Sequence, residues 1–516
     1  MNSPSHGTHG GSPSGPPEGH YSRLCPIQGR EYDLGKLEEL ARRMKDSDAK
    51  REARGNRIEA MMSGYVYLGQ FIDHDLTRDQ TLLRDVNSNV EATPNYRTPC
   101  LDLDHLYGKV PADVPNIYQG EGELRIDPTW PTTLPTGRRI PQTLDDLPRT
   151  ANGTAEVIDP RSDENLVIAQ IHVLFAKLHN RLLELGKSRP GLTKGISGKD
   201  AFEKTRRLVT WHYQWIIVND FLPSFVKADV LKTVFQKRQL RLYTHVCTPK
   251  DAPIALPVEF TVAAYRFGHS MVQEVYILNQ YHLVGTGTLI FMTKNGGGIG
   301  APDPHPTPPR LRADYVIDWD FFFRATETDL NRGQNIDTFI TETLYELPPQ
   351  TIALFRAAGT LHFGPRMLKE FMMPLPEITL KRGSKMHLPG GEQFAEHFRF
   401  PKINAADIPA LPEDREFFDT AEFRDRTPLW YYLLREASLE LALEAEPGNP
   451  HGSPIQKLGS IGSQIVAEVF FQVLAADADS ILNAGKDWRP PQFVFGSSSR
   501  PRALDTMPNV IDLFRS

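Results

Sequence analysis

Between Tyr65 and Asp79 the chain reads YVYLGQFIDHDLTRD, an aromatic and apolar run that carries Gln70, Asp73, His74 and Asp75 into the interior with it. Charges taken out of water need partners, a metal or a chemical task. A chain with this segment must therefore fold around a polar constellation and not only around an oily core. Helical spacing puts Gln70, Asp73 and His74 on one face. Asp75 lies about 100° further round the helix, so it serves something else. Taken alone, a capped helix with a satisfied core histidine is the simpler account, since structural networks also perturb buried groups.

Two further segments shift that balance. RSDENLVIAQIHVLFAKLHNRL, Arg161 to Leu182, has long helical periodicity, and its start sets Arg161 and Glu164 three apart on one face. In AYRFGHSMVQ, His269 follows Gly268 among apolar neighbours, and glycine allows a flat, bulky group to approach the backbone closely. Helices are also predicted at DLGKLEELARRM, Met61–Leu76, AFEKTRRLVTWHYQWIIVNDFL, VEFTVAAYRFGHSMVQEVYIL and GSQIVAEVFFQVLAADADSIL. Strand signals are few and short, and no internal repeat is visible. The fold class is mainly α, with long irregular loops and few short strands. GTGTLIF and NGGGIGAP lack the strand–GxGxxG–helix context of a nucleotide site and read as loop punctuation.

Bulk properties narrow the function. With 58 basic and 64 acidic residues and a net charge of −6, neither nucleic acid nor an anionic membrane is an expected partner. No apolar run approaches the roughly 18–20 residues of a membrane span. Residues 1–20 are rich in Gly, Ser, Pro and His and read as a disordered arm without a secretory signal. The three cysteines, Cys25, Cys100 and Cys247, are scattered, which disfavours a disulfide framework and a zinc finger. A reduced, cytoplasmic protein is expected, with export by a signal-independent route left open.

GQFIDHDLT, RSDEN…H…LF…HNRL and YRFGHSMVQ, in that order, resemble the haem peroxidase family that includes myeloperoxidase, peroxidasin and, more distantly, the cyclooxygenases. LDLDHLYG, ITLKRGSKMHLPG and IVAEVFFQVLAADADSIL…WRP resemble further segments of it. The likeness runs from about Tyr21 to Pro490 and is nearer the short bacterial members than the secreted animal enzymes. It implies one large helical domain over residues 21–516, because residues that meet at one haem are interleaved along the chain.

The resemblance implies haem b with His269 as proximal iron ligand, which leaves the opposite face open for hydrogen peroxide. His74 then stands as the distal base. Arg161 stands as the distal arginine that stabilises charge on the leaving oxygen, and Gln70 as the halide-site glutamine. Asp73 and Glu164 occupy the positions of the two haem-ester carboxylates. Asn165 stands where myeloperoxidase forms its sulfonium link from methionine, so a weaker oxidant is implied. Bromide, iodide, thiocyanate and phenolic donors are expected as reductants rather than chloride. Arg266 and Arg382 match arginines beside the haem propionates. Thr379 falls where the family has an asparagine that accepts from the proximal imidazole, and a hydroxyl is the weaker acceptor.

The family's structural calcium implies Asp75, Thr98, the Cys100 carbonyl, Asp102 and Asp104 as Ca2+ ligands, oxygen donors of the hard kind. Asp104 replaces a common serine and adds a negative charge. Among alternatives, a fatty-acid dioxygenase needs a tyrosine three residues before the proximal histidine, where this chain has Arg266; a lipid hydroperoxide as oxidant stays open. A non-catalytic haem binder or sensor would need no distal His–Arg pair. His172 and His179 share a helix face without an acid at catalytic-zinc spacing and read as helix-packing histidines. Oligomeric state is not set by these features.

Overall fold

The computed structural model describes residues 19–515 apart from 48–49, 51–59, 109–114, 189–193, 293–309, 325–330, 347–372, 442, 445–453 and 495–499. Most of the expected arm and the NGGGIGAP loop lie outside the described residues. Helix α1, Leu34–Met44, starts where the Asp33 side chain accepts from Lys36 N at 2.9 Å, and it buries Leu37, Leu40, Ala41 and Met44. Helix α2, Ser63–Leu76, is buried along almost its whole length, including His74 and Asp75. Helix α3, Leu166–Ser188, follows a 3-10 turn at Pro160–Asp163. Asn165 caps it by accepting from Ile168 N at 3.0 Å. Helix α4, Gly198–Ile216, widens into a π turn at Ile217–Phe221 and ends in Leu222–Ser224, where Pro223 removes a backbone donor.

Helices α5, Leu375–Lys385, α6, Leu429–Glu440, and α7, Ser460–Ala476, complete the interior. The last is buried on every side, so it reads as apolar all round rather than as a stripe. A final helix, α8, spans Met507–Asp512. Strands β1, Gly19–Ser22, β2, Pro94–Asn95, and β3, Leu256–Pro257, form one three-stranded sheet with β1 in the middle. β1 takes up Gly19 and His20, the last two residues of the expected arm, because buried Tyr21 anchors the strand. The other sheets are two-stranded pairs of short strands.

One predicted helix differs. VEFTVAAYRFGHSMVQEVYIL forms a π turn at Glu259–Ala263, then a 3-10 run at Ala264–Met271, and its end is a strand, Val275–Ile277. The break falls at Ala263 (φ −126, ψ −74). Pro257 and several β-branched residues weaken α geometry there, and the buried Glu259 carboxylate is held by Leu24 N and Cys25 N.

One contiguous apolar cluster runs from Tyr21 to Leu513. Within it α2 packs against α3, the Pro160–Asp163 turn and the Ala264–Met271 run, while α6 backs that run from behind. His179 is satisfied by Tyr107 and the Gly122 carbonyl, a packing role. No described helix is long and apolar enough to cross a membrane.

Candidate active site

The packing of α2 against the Ala264–Met271 run leaves a cavity of about 470 Å³. Gln70, Asp73 and His74 line it from α2, Arg161 and Glu164 from the turn before α3, Arg266, Gly268 and His269 from the 3-10 run, and Arg382 from α5. Elements far apart in sequence thus bring these groups to one space.

On the α2 side, His74 is buried, its Nδ1 has no hydrogen-bond partner, and its Nε2 lies 3.7 Å from Glu164 Oε2. Burial, reinforced by Arg161, pushes its pKa well below the ordinary value, so the imidazole is neutral. Arg161 is held in place from two sides. Its Nε donates to Asp159 Oδ1 at 3.1 Å, and its Nη2 to Asp159 Oδ2, the His74 carbonyl and the Thr77 carbonyl at 2.8, 3.1 and 2.7 Å. Nη1 takes no part in these bonds. Burial works against this guanidinium, but Asp159 outweighs it and keeps the charge. Gln70 Oε1 accepts from Asn165 Nδ2 at 3.3 Å. Asp73 accepts from Thr77 Oγ1 at 3.1 Å, and burial raises its pKa against the pull of Arg161 and Arg266.

Across the cavity stands His269. Its Nδ1 is buried without a partner, and burial with Arg266 nearby drives its pKa down to about 3. A neutral imidazole of this kind is ready to ligate. A Cβ added at Gly268 would meet only Val66 Cγ1, at 3.9 Å, and its φ is not in the left-handed region. Neither backbone nor protein packing requires glycine there, which fits a space kept for a flat ligand. Arg382 is tied to Asp79 at 2.7 Å and to the Thr81 carbonyl at 2.9 Å, and Arg266 to the Thr261 carbonyl at 3.0 Å.

Thr379 is not brought to the cavity wall. Its buried hydroxyl has no partner and faces a small separate void with Val262, Gly383 and Trp430. No hydrogen bond joins it to His269. On α5, Arg382 turns to the cavity, and Thr379, a turn earlier, faces the α6 side.

Beneath α2, Asp75 Oδ1 pairs with His105 Nδ1 at 2.8 Å and Oδ2 accepts from Leu103 N at 3.2 Å. Ligand atoms of Asp75, Asp104 and His105 lie within 4.8 Å of one another. Asp102 accepts from Asp104 N at 3.1 Å, and burial with Asp75 and Asp104 nearby raises its pKa far above the carboxylate range. Leu103 takes a left-handed conformation (φ 59), a backbone cost that turns the two acids inward. Thr98 and Cys100 are joined by Cys100 N to the Thr98 carbonyl at 2.7 Å, which shapes the same loop. Converging buried acids are stable with a cation between them.

Asp159 and Arg97 are two residues to which the sequence assigned no role. Arg97 donates through Nε and Nη2 to Asp159 Oδ2 at 3.1 and 2.5 Å, and through Nη1 to Asp104 Oδ1 at 3.4 Å. Asp159 therefore links the acid loop to Arg161. Its place two residues before Arg161, ahead of a proline, was the available signal. His105, beside Asp104, and Asp79, at the end of the opening segment, were also legible but unread.

Residues 74–293 match the family profile described as animal haem peroxidase. The chain is 24% identical over 282 residues to chorion peroxidase of Drosophila melanogaster, covering 55% of this chain and 31% of that protein. It thus spans about a third of that relative's length. Peroxidase A of Dictyostelium discoideum superposes with a TM-score of 0.55 at 15% identity, over 97% of this chain and 94% of the other. A fatty acid alpha-dioxygenase of Arabidopsis thaliana gives 0.52 at 14% identity, over 95% and 75%. At such identities these two show the shared fold alone.

Proposed function

The chain belongs to the animal haem peroxidase family, and on that premise we propose that it reduces hydrogen peroxide at the α2 cavity and oxidises small anions or phenols. One observation carries the reading: a neutral His74 beside a charged, anchored Arg161 on one wall, with His269 next to Gly268 on the other.

The donor set fits haem b. His269 would hold the iron, Arg266 and Arg382 the propionates, and Asp73 and Glu164 stand where ester links to haem methyls would form. When bound, the haem supplies an iron that activates peroxide and stores its oxidising equivalents. His74 takes the proton from the nearer peroxide oxygen and returns it to the leaving oxygen. Arg161 stabilises the charge that builds there, without having to reorganise, because Asp159 and two carbonyls already fix it.

Asn165 holds Gln70 rather than supplying a thioether. A haem without a sulfonium link is the weaker oxidant, so the reading favours bromide, iodide, thiocyanate and phenols over chloride. Asp75, Thr98, the Cys100 carbonyl, Asp102 and Asp104 are proposed to hold Ca2+.

The test is the absorption spectrum of haem-loaded protein before and after one equivalent of hydrogen peroxide. A Soret band that bleaches and returns on adding iodide supports the reading. His74→Ala should slow the bleaching by about 10²- to 10⁴-fold, the worth of a positioned acid–base. His269→Ala should abolish the native haem spectrum. A wild-type haem band indifferent to peroxide would leave a haem binder or sensor.

A further inference from the structure

The cavity wall is also the start of a line of aromatic rings that leaves the site. Tyr65 lines the cavity and donates from its hydroxyl to buried Asp220 Oδ1 at 2.9 Å. Its ring meets Phe323 edge-on at 5.1 Å, and Phe323 lies 5.7 Å from Trp319. A second line starts at Tyr67, also on the wall, and runs through Tyr276 at 5.6 Å and Phe322 at 5.9 Å to Trp319 at 6.0 Å. Both lines end on the same indole.

Close packing holds this arrangement. A Cβ at Gly64 would fall 2.5 Å from the Phe322 carbonyl and 2.8 Å from the Phe323 ring, so only glycine on α2 lets the Asp320–Phe323 segment sit this near. Trp319 is partly exposed and lines a second pocket of about 310 Å³, with Tyr281, Phe514 and Lys177, open beside exposed Gln280 and Asp318. The cations there are already matched: Lys177 with Asp145, Arg515 with Asp318 and Asp320. The pocket therefore offers aromatic surface rather than net charge.

We propose that Trp319 is a second oxidation site, at which phenolic donors too large for the cavity give up electrons that reach it along these rings. The inference rests on the peroxidase reading and extends its substrate class.

The electron and proton bookkeeping is local. Tyr65 gives one electron to an oxidising equivalent held in the cavity, and its phenolic proton moves to Asp220. Burial raises the Asp220 pKa to about 7, so near neutral pH the carboxylate can receive that proton and release it again. Trp319 then reduces Tyr65, which recovers the proton, and a phenol in the outer pocket reduces Trp319 while its hydroxyl proton goes to water. Each turnover converts one hydrogen peroxide and two phenols into two waters and two phenoxyl radicals. The phenylalanines only bridge; successive ring centroids lie 5.1–6.0 Å apart, which keeps each tunnelling step short.

The test uses haem-loaded protein, hydrogen peroxide and two donors: iodide, which enters the cavity, and a methoxyphenol tethered to polyethylene glycol, which does not. Wild-type protein treated with peroxide and no donor should show oxygen addition at Trp319 in peptide mass spectra and a protein-based radical by electron paramagnetic resonance. Trp319→Phe should lose about tenfold or more in kcat/KM for the tethered phenol with iodide oxidation unchanged. Equal rates for the tethered phenol in both proteins, or an equal fall for both donors, would overturn the inference and leave the rings as packing. Failure of wild-type protein to oxidise iodide would instead remove the peroxidase reading, and this proposal with it.

Discussion

Asp159 makes more of this site than any other single side chain. Its carboxylate receives the Arg161 backbone N–H at 2.9 Å as well as two guanidinium groups, and those two arginines hold its pKa far below the carboxylate range although burial pushes the other way. Asp159→Asn keeps the shape and removes the charge. Buried Arg97 and the partly exposed Arg161 then lose their shared partner, and breaking the buried Arg97–Asp159 pair costs about 3–5 kcal/mol, to be read by urea denaturation. Arg161 also loses its aim, so the bimolecular rate with peroxide should fall by about 10²- to 10³-fold, the worth of one preorganised donor, while haem content stays near wild type. A rate unchanged within error would mean that the His74 and Thr77 carbonyls suffice to hold Arg161. At this scale the sequence was informative about which residues meet, since His74, Arg161 and His269 all line one cavity. Asp159 was hidden because an acid two residues before an arginine is an ordinary helix-start feature. Thr379 owes its expected role to a loose segment match alone, and its hydroxyl and the His269 Nδ1 it was matched to are both buried without a partner.

Elements were legible where periodicity was long. α2 and α3 stand where the apolar spacing placed them, within a few residues, and α7 begins there but ends at Ala476, before the polar DADS stretch. The stretch around His269 was misread as α-helix because its apolar spacing survives in π and 3-10 geometry, while the β-branched tail pairs as a strand instead. Two element contacts yield predictions. Gly64→Ala forces α2 away from Asp320–Phe323, since the new methyl cannot share space with a backbone carbonyl at 2.5 Å. An overpacking cost of about 1–3 kcal/mol is expected, measured as a lower urea midpoint with the slope unchanged. At the junction of α6 and α7, Glu436 receives Ile461 N at 3.0 Å and Gly462 N at 3.2 Å, and burial raises its pKa from 4.5 to about 8. The folded state therefore binds this proton more tightly than the unfolded chain. That contribution is fully present below about pH 4.5 and is lost as the pH rises through about 8. Glu436→Gln should flatten the decline of Tm between those limits, and a decline as steep as in wild type would assign the effect to another group.

For the molecule as a whole, one large apolar cluster unites residues from Tyr21 to Leu513, and site residues interleaved along the chain line one cavity within it. What no single segment could reveal is how the acid loop and the cavity are joined. The link is ionic and crosses three elements: Asp104 to Arg97, Arg97 to Asp159, Asp159 to Arg161. If Ca2+ sits among Asp75, Asp102 and Asp104, its removal has two effects. Stability falls by the binding contribution, about 2.7 kcal/mol at a free concentration 100-fold above Kd. In addition, Asp104, no longer shared with a cation, draws Arg97 away from Asp159, and Arg161 is held less firmly. Chelation should therefore lower both Tm and the rate of reaction with peroxide, and added Ca2+ should restore both. Asp104→Ser separates the two effects, because the other four proposed ligands remain while the carboxylate that reaches Arg97 is gone. In that variant chelation should still lower Tm, yet leave the peroxide rate nearly unchanged. A peroxide rate that stays equally sensitive to chelation in Asp104→Ser would rule out the ionic link and point to movement of α2 through Asp75 as the connection.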